Sequence, residues 1–316
     1  MFPWTDLSRW LWRFGGISFG LLWGSFLNVV IYRVPAGLSV VRPPSHCPKC
    51  QAPVKAYDNV PVLSWLWLRG RARCCGARIS ARYPLIELLG GLLAWALLEA
   101  IIFRLSPETS VGRAAAIFLA DFALALGLVA ATFIDLDHLY IPDEISLGGT
   151  ILGLATASLR PPLRYVDSAL GAVLGFLIVW VPFDVLYRLV RKKTGMARGD
   201  AKLVMLAGAW FGWPGALFAL FAGSVQGTIA ALGMLLLRGK IEEPAAVARE
   251  REAALAELAA LPPAERAAFE KELAADPIFQ QSEGTLGVRL AFGPFLALSI
   301  LEFLLFGHEL VASVFE

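Results

Sequence analysis

Charge is what this 316-residue chain has least of: 17% of its residues are charged against 57% hydrophobic, and its mean hydropathy is +0.64. The length would suit two soluble domains, but a chain this poor in charge and this rich in apolar residues cannot clothe two soluble surfaces, so that class is excluded. The N-terminal stretch lacks the order of basic, apolar and small-residue cleavage regions that marks a secretory signal. Its first apolar segment ends in Asn28 and Arg33, so it reads as a retained helix. There is also no convincing internal repeat, which transporters built from two related halves would show. A net charge of +2 carries little by itself, and no nucleic-acid partner is expected.

What the chain does have is apolar runs of about 20 residues, each long enough to cross a hydrocarbon core of roughly 30 Å as a helix. Eight segments stand out, at about 14–31, 84–103, 114–134, 145–159, 168–187, 201–213, 215–237 and 290–306, the fourth and sixth being short. The expected fold is an all-α polytopic membrane protein with about eight transmembrane helices, embedded in a lipid bilayer. The 10 Trp and 20 Phe suit interfaces as well as cores. Between the first two segments runs a loop with Arg33, Arg42, Lys49, Lys55, Arg69, Arg71, Arg73, Arg78 and Arg82 against one acid, Asp58. That excess places the loop in the cytoplasm. Counting outward, Arg104, Arg113, Arg160 and Arg164 fall outside and Arg188, Arg191, Lys192, Lys193 and Arg198 fall inside. Both termini then lie outside, and of the 28 Lys and Arg only Arg9, Arg13 and those four turn residues are on the outer side.

A second cytoplasmic segment, Ile241–Thr285, holds ten acids against four bases. The run VAREREAALAELAAL, then Pro262-Pro263, then AERAAFEKELAAD and Pro277 alternates helix formers with breakers, which predicts a solvated helical hairpin. Its Glu and Arg pairs need no substrate to explain them.

Carboxylates are costly near hydrocarbon, so their depth matters. The third segment ends in FIDLDHLYIPDE, with Asp135, Asp137, His138 and Asp143; the sixth begins GMARGDAKL, with Asp200 and Lys202. By the charge-derived topology Asp135 ends an outside-to-inside helix and Asp200 starts an inside-to-outside one, so both sit near the inner interface. Two carboxyl groups brought together cannot both ionise cheaply; one keeps a proton, and an acid and a base then stand side by side. Such a pair can activate water against a peptide carbonyl. Interfacial acids also serve simply as helix caps, and position alone leaves both readings open. Asp143, after Pro142, suits an N-cap or first-turn acid. Asp137 would face another side of the helix, His138 reads as a polar anchor, and Lys202 either biases Asp200 or meets lipid phosphate. Glu87, Asp121, Asp184 and Glu302 have no matched partner.

Six motifs stand in order along the chain: GSFLNVVIYRVP at 24–35, HCPKC at 46–50, ISARYPLIELLGG at 79–91, FIDLDHLYIPD at 133–143, GDAKL at 199–203 and FGPFLAL at 292–298. Together they resemble the type IV prepilin peptidases, integral-membrane aspartic proteases of the GxGD class, over almost everything except 241–285. The resemblance implies an aspartic endopeptidase of the bacterial inner membrane that removes the leader of type IV prepilins or pseudopilins at the cytoplasmic face, with no cofactor needed for proteolysis. It implies Asp135, seven residues before Pro142, and Asp200 as catalytic residues, supported by Gly199, Lys202 and Asp143. It further implies a possible N-methylation of the new amino terminus from S-adenosylmethionine. The chain departs from the pattern at Ala197, where the first GxGD glycine would stand.

Four cysteines in a cytoplasmic loop argue against structural disulfides. The resemblance brings two CxxC pairs and a structural Zn²⁺ in a tetrathiolate shell. Here Cys47 and Cys50 keep the first pair, while Ala72 replaces one cysteine of the second and adjacent Cys74 and Cys75 stand instead. Adjacent cysteines point apart, so Cys74 or His46 is left to complete the shell. The expected layout is a first helix (1–33), a basic cysteine loop (34–83), a transmembrane peptidase core (84–240), an acidic insertion (241–285) and a last helix (286–316). Two other readings remain: a proton-coupled transporter using the same aspartates as a relay, and a zinc-loop scaffold for secretion-machine assembly.

Overall fold

The computed structural model describes residues 6–186, 198–239, 245–262 and 291–315, with isolated positions 189, 265–267, 269–270 and 273. Among them the chain is helical: α1 (Asp6–Arg33), α2 (Leu63–Trp67), α3 (Arg82–Ala100), α4 (Val111–His138), α5 (Asp143–Ala155), α6 (Tyr165–Trp180), α7 (Arg198–Arg238), α8 (Ala245–Ala260) and α9 (Gly293–Phe315). No strand forms among the described residues beyond two isolated bridges in the cysteine loop. Five stretches are long and apolar enough to cross a bilayer: Leu7–Arg33, Arg82–Arg104, Val111–His138, Tyr165–Leu186 and Arg198–Arg238. The protein is an all-α polytopic membrane protein.

All eight apolar segments fall on helices, the last on the 23-residue apolar α9, and two features keep the number of separate full-length spans below eight. With 13 residues, α5 is about 20 Å long, short of the hydrocarbon thickness. Segments 201–213 and 215–237 share α7, whose 41 residues would run about 60 Å if straight. Gly212 prevents that. Its φ of 72° and ψ of −170° lie in a region essentially restricted to glycine, and Pro214 follows with no N–H to give. The two halves fold back on each other. A β-carbon on Gly175 of α6 would lie 2.5 Å from the Val204 carbonyl oxygen and 3.2 Å from the Ala216 Cβ, residues that would be about 18 Å apart along a straight helix.

Packing elsewhere is equally close. A β-carbon on Gly20 would stand 2.3 Å from the Gly90 oxygen, so α1 and α3 touch backbone to backbone, as membrane helices do where small residues meet. α4 is the central helix, packed against α1, α3, α5 and α9, and its Ala125, Leu128 and Ile134 are fully buried. One end of the bundle is tied by Arg160. Its guanidinium lies 4.1 Å from the Trp210 ring centroid, donates to the Gly153 oxygen at 2.7 Å and stands 3.8 Å from Asp121. That leaves the far ends of α4, α5 and α7, which carry Asp135, Asp143 and Asp200, to form a second polar region.

The first arm of the acidic insertion is α8, as expected. Most of the second arm, 264–276, lies outside the described residues, as do Arg188, Arg191, Lys192, Lys193 and Ala197. Although largely exposed, α8 is anchored: Val247 is buried, and Arg249 Nη2 donates to the Asp137 carbonyl at 3.4 Å.

Candidate active site

Asp135 lies in the last turn of α4, which closes when Leu139, in the left-handed conformation, donates its N–H to the Asp135 carbonyl at 2.8 Å. Asp200 lies in the first turn of α7. Sixty-five positions apart in sequence, the two carboxyl groups are each 7% exposed and lie within electrostatic range of each other. No cation pairs with either among the described residues. A third element completes the arrangement. Gly293, which opens α9, donates its backbone N–H to Asp135 Oδ2 at 3.1 Å, so the positive end of that helix faces the carboxylate. Ile141 fills the space between: a β-carbon on Gly199 would lie 3.3 Å from the Ile141 Cβ, and one on Gly293 would lie 3.1 Å from its Cδ1 and 2.7 Å from Asp135 Oδ2. The residue before Asp200 and the residue bonded to Asp135 therefore pack on the same side chain.

The neighbouring acids are already engaged. Asp137 receives Arg82 in a two-pronged pair, Nη2 to Oδ2 at 2.6 Å and Nη1 to Oδ1 at 3.0 Å. Asp143 pairs with Lys202, so this lysine ties the start of α5 to the start of α7. His138 lies beside Tyr140, their ring centroids 6.3 Å apart. Glu87 accepts the Val62 N–H at 2.7 Å, Glu302 accepts from Gln226 at 2.6 Å, and Asp184 lies 3.9 Å from Arg198. Two buried carboxyl groups lie within electrostatic range of each other, one of them bonded by a backbone N–H, and carboxyl groups so placed do not both ionise cheaply.

In the cysteine loop two turns repeat one geometry. Cys47 N–H donates to the Ala52 oxygen and Ala72 N–H to the Ala77 oxygen, both at 2.8 Å. Gln51 N–H reaches the Cys47 oxygen at 2.9 Å, and Gly76 N–H reaches the Ala72 oxygen at 2.8 Å. Cys47 thus corresponds to Ala72 and Cys50 to Cys75. The missing sulfur is supplied by Cys74, 3.3 Å from Cys50 Sγ, while Cys75 lies 3.7 Å from Cys47 Sγ. All four Sγ atoms lie within 4.8 Å of one another. The adjacent cysteines converge rather than diverge, because the tight turn aims both inward. His46 instead places Nδ1 3.2 Å from the Pro44 oxygen and is not part of the cluster. Zn–S bonds of about 2.3 Å put tetrahedral sulfurs about 3.8 Å apart, so the four thiols fit such an ion. N–H groups of Cys50 and Lys49 pull the Cys47 thiol down to about 6, and hydrogen bonding with Cys50 pushes Cys74 up to about 12. The cluster can hold a metal ion.

Gly293, Ile141 and Arg82 were not singled out by sequence reasoning as site residues. The FGPF run carried a signal for the first, since Gly-Pro marks a helix start, where backbone N–H groups have no partner within the helix. The other two act through contacts between distant segments.

A multi-span helical bundle in which two buried aspartates, at the end of one helix and the start of another, lie within electrostatic range of each other has the layout of a membrane-embedded protease of aspartic type. Residues 18–101 match the bacterial peptidase A24 N-terminal domain, and residues 122–232 match the type IV leader peptidase family. A prepilin leader peptidase/N-methyltransferase of Aeromonas hydrophila is 38% identical over 244 residues, covering 70% of this chain and 80% of that protein. Proteins of the same name from Neisseria gonorrhoeae (37%, covering 70% and 82%) and Myxococcus xanthus (39%, covering 70% and 62%) are similarly related. The chain belongs to the type IV leader peptidase family and is a membrane peptidase. No solved structure matches it.

Proposed function

We propose that this peptidase cleaves the leader of type IV prepilins or pseudopilins at the cytoplasmic face of the bacterial inner membrane, with Asp135 and Asp200 as its catalytic pair. The observation that carries this reading is the placement of two buried aspartates, from the end of α4 and the start of α7, within electrostatic range of each other. The carboxylate of the pair takes a proton from water as its oxygen attacks the scissile carbonyl carbon. The protonated partner gives its hydrogen to the carbonyl oxygen. Collapse of the tetrahedral intermediate breaks the C–N bond as the nitrogen takes the proton that came from water and a hydroxyl of the intermediate returns its proton to the other carboxylate, so the original protonation state returns. Gly199 allows the close approach of α7 to Ile141, and the Lys202–Asp143 pair fixes the starts of α7 and α5, which supports their place beside the pair. A substrate whose own apolar helix lies among the spans would present its bond at this interface.

The names of the relatives support a second step. The new α-amine attacks the methyl group of S-adenosylmethionine, a co-substrate, forming N–CH₃ and releasing S-adenosylhomocysteine and a proton. The cysteine loop, 34–83, is proposed as a structural Zn²⁺ domain held by Cys47, Cys50, Cys74 and Cys75, proteolysis itself needing no cofactor. Segments 1–33, 84–240, 241–285 and 286–316 are the first helix, peptidase core, insertion and last helix of this scheme. A relay or scaffold role leaves the family relationship without use and is set aside. Mass spectrometry of a co-expressed prepilin tests both steps: loss of the leader mass with a gain of one methyl group is expected, and an unprocessed precursor contradicts the reading.

A further inference from the structure

We propose that Arg82 is a positioning residue of the peptidase site, holding the last turn of α4 so that Asp135 faces Asp200; this rests on the catalytic reading of that pair. Arg82 opens α3, directly after the cysteine loop. Its guanidinium grips α4 on either side of Asp135. It forms the two-pronged pair with Asp137, two residues later, and Nη2 also donates to the carbonyl of Phe133, two residues earlier, at 3.5 Å. Its centre lies 4.7 Å from the Phe133 ring centroid.

The need for such a grip follows from helix physics. The last carbonyls of a helix have no partners within it, and its C-terminus is the negative end of the dipole. In α4 that end carries Asp135 and Asp137 together, so without a cation the final turn would be pushed to fray. Lysine could neutralise Asp137, but the planar fork of arginine also fixes orientation. Arg249 from α8 reaches the Asp137 carbonyl as well, which makes Asp137 the anchor of the turn while Asp135 is left to face Asp200. Arg82 is also the covalent continuation of the cysteine loop, which is tied to α3 by the Val62 N–H bond to Glu87 Oε2 at 2.7 Å.

The test is a double-mutant cycle on prepilin cleavage with the full-length enzyme in detergent. Arg82→Ala is expected to lower kcat about 10²-fold, the scale of a small misplacement of a reacting group, with little change in KM. Arg82→Lys should recover part of the loss. Asp137→Asn should lower kcat less, and the double variant should be no worse than Arg82→Ala alone. If Arg82→Ala is not recovered folded, Arg82→Gln and Arg82→Lys carry the same cycle. Wild-type kcat in the Arg82 variants, or losses that simply multiply, would overturn the proposal. Failure of the wild-type enzyme to cleave would instead count against the peptidase reading itself.

Discussion

The Gly293 N–H reaches Asp135 Oδ2 at 3.1 Å across 158 positions of chain. This bond joins the start of the last helix to the end of the central one and turns a helix N-terminus toward a buried carboxylate. A side chain at 293 has nowhere to go, since its β-carbon would stand 2.7 Å from that oxygen. Gly293→Ala should therefore displace Asp135 and lower turnover roughly 10- to 10²-fold. Steady-state cleavage assays check this; unchanged kcat would show that the close approach is not needed.

The Lys202–Asp143 pair is a tether between two helix starts, with Asp143 mostly exposed. Exposed pairs contribute about 0–1 kcal/mol. Asp143→Asn should lower the unfolding free energy by no more than about 1 kcal/mol and reduce cleavage by less than about tenfold. Denaturation and rate measurements on the same preparation check it. A loss as complete as that of an Asp135 variant would give Asp143 a direct role in the chemistry.

Much of this was legible in advance, and the rest was not for identifiable reasons. Apolar runs marked every helix of the bundle, because bilayer thickness sets their length. The reversal of α7 at Gly212 falls beside the division between segments 201–213 and 215–237. Asp135 and Asp200 could be matched in depth by counting spans. Depth, however, says nothing of azimuth, and the parts of the site that depend on side-by-side placement escaped: Ile141 between two glycines, Arg82 on Asp137, and Val247 anchoring an acidic insertion that composition describes as solvated. In the cysteine loop, spacing pointed to a gap at Ala72. Only the paired turn geometry reveals that Cys74 supplies the missing sulfur.

The cluster predicts a metal result that discriminates between ligands. Protein purified under reducing conditions without chelator should carry one zinc per chain, and Cys74→Ser or Cys75→Ser should lower occupancy, whereas His46→Ala should not. Ala72→Cys combined with Cys74→Ala restores a CxxC pair and should keep the ion. Elemental analysis measures all of these, and zinc-free wild-type protein would rule the site out.

Gly212 carries the reversal of α7. Gly212→Ala forces a side chain into a glycine-only backbone region, at a cost of order 1–3 kcal/mol. Thermal unfolding in detergent should show a lowered midpoint, and an unchanged midpoint would mean that the turn has another geometry.

The central claim is that Asp135 and Asp200 together perform the hydrolysis, and it is tested most directly by the single-turnover cleavage rate of Asp135→Asn and Asp200→Asn against wild type. Both variants should fold as wild type and leave the prepilin uncut. Normal cleavage by either one would contradict the paired-aspartate mechanism.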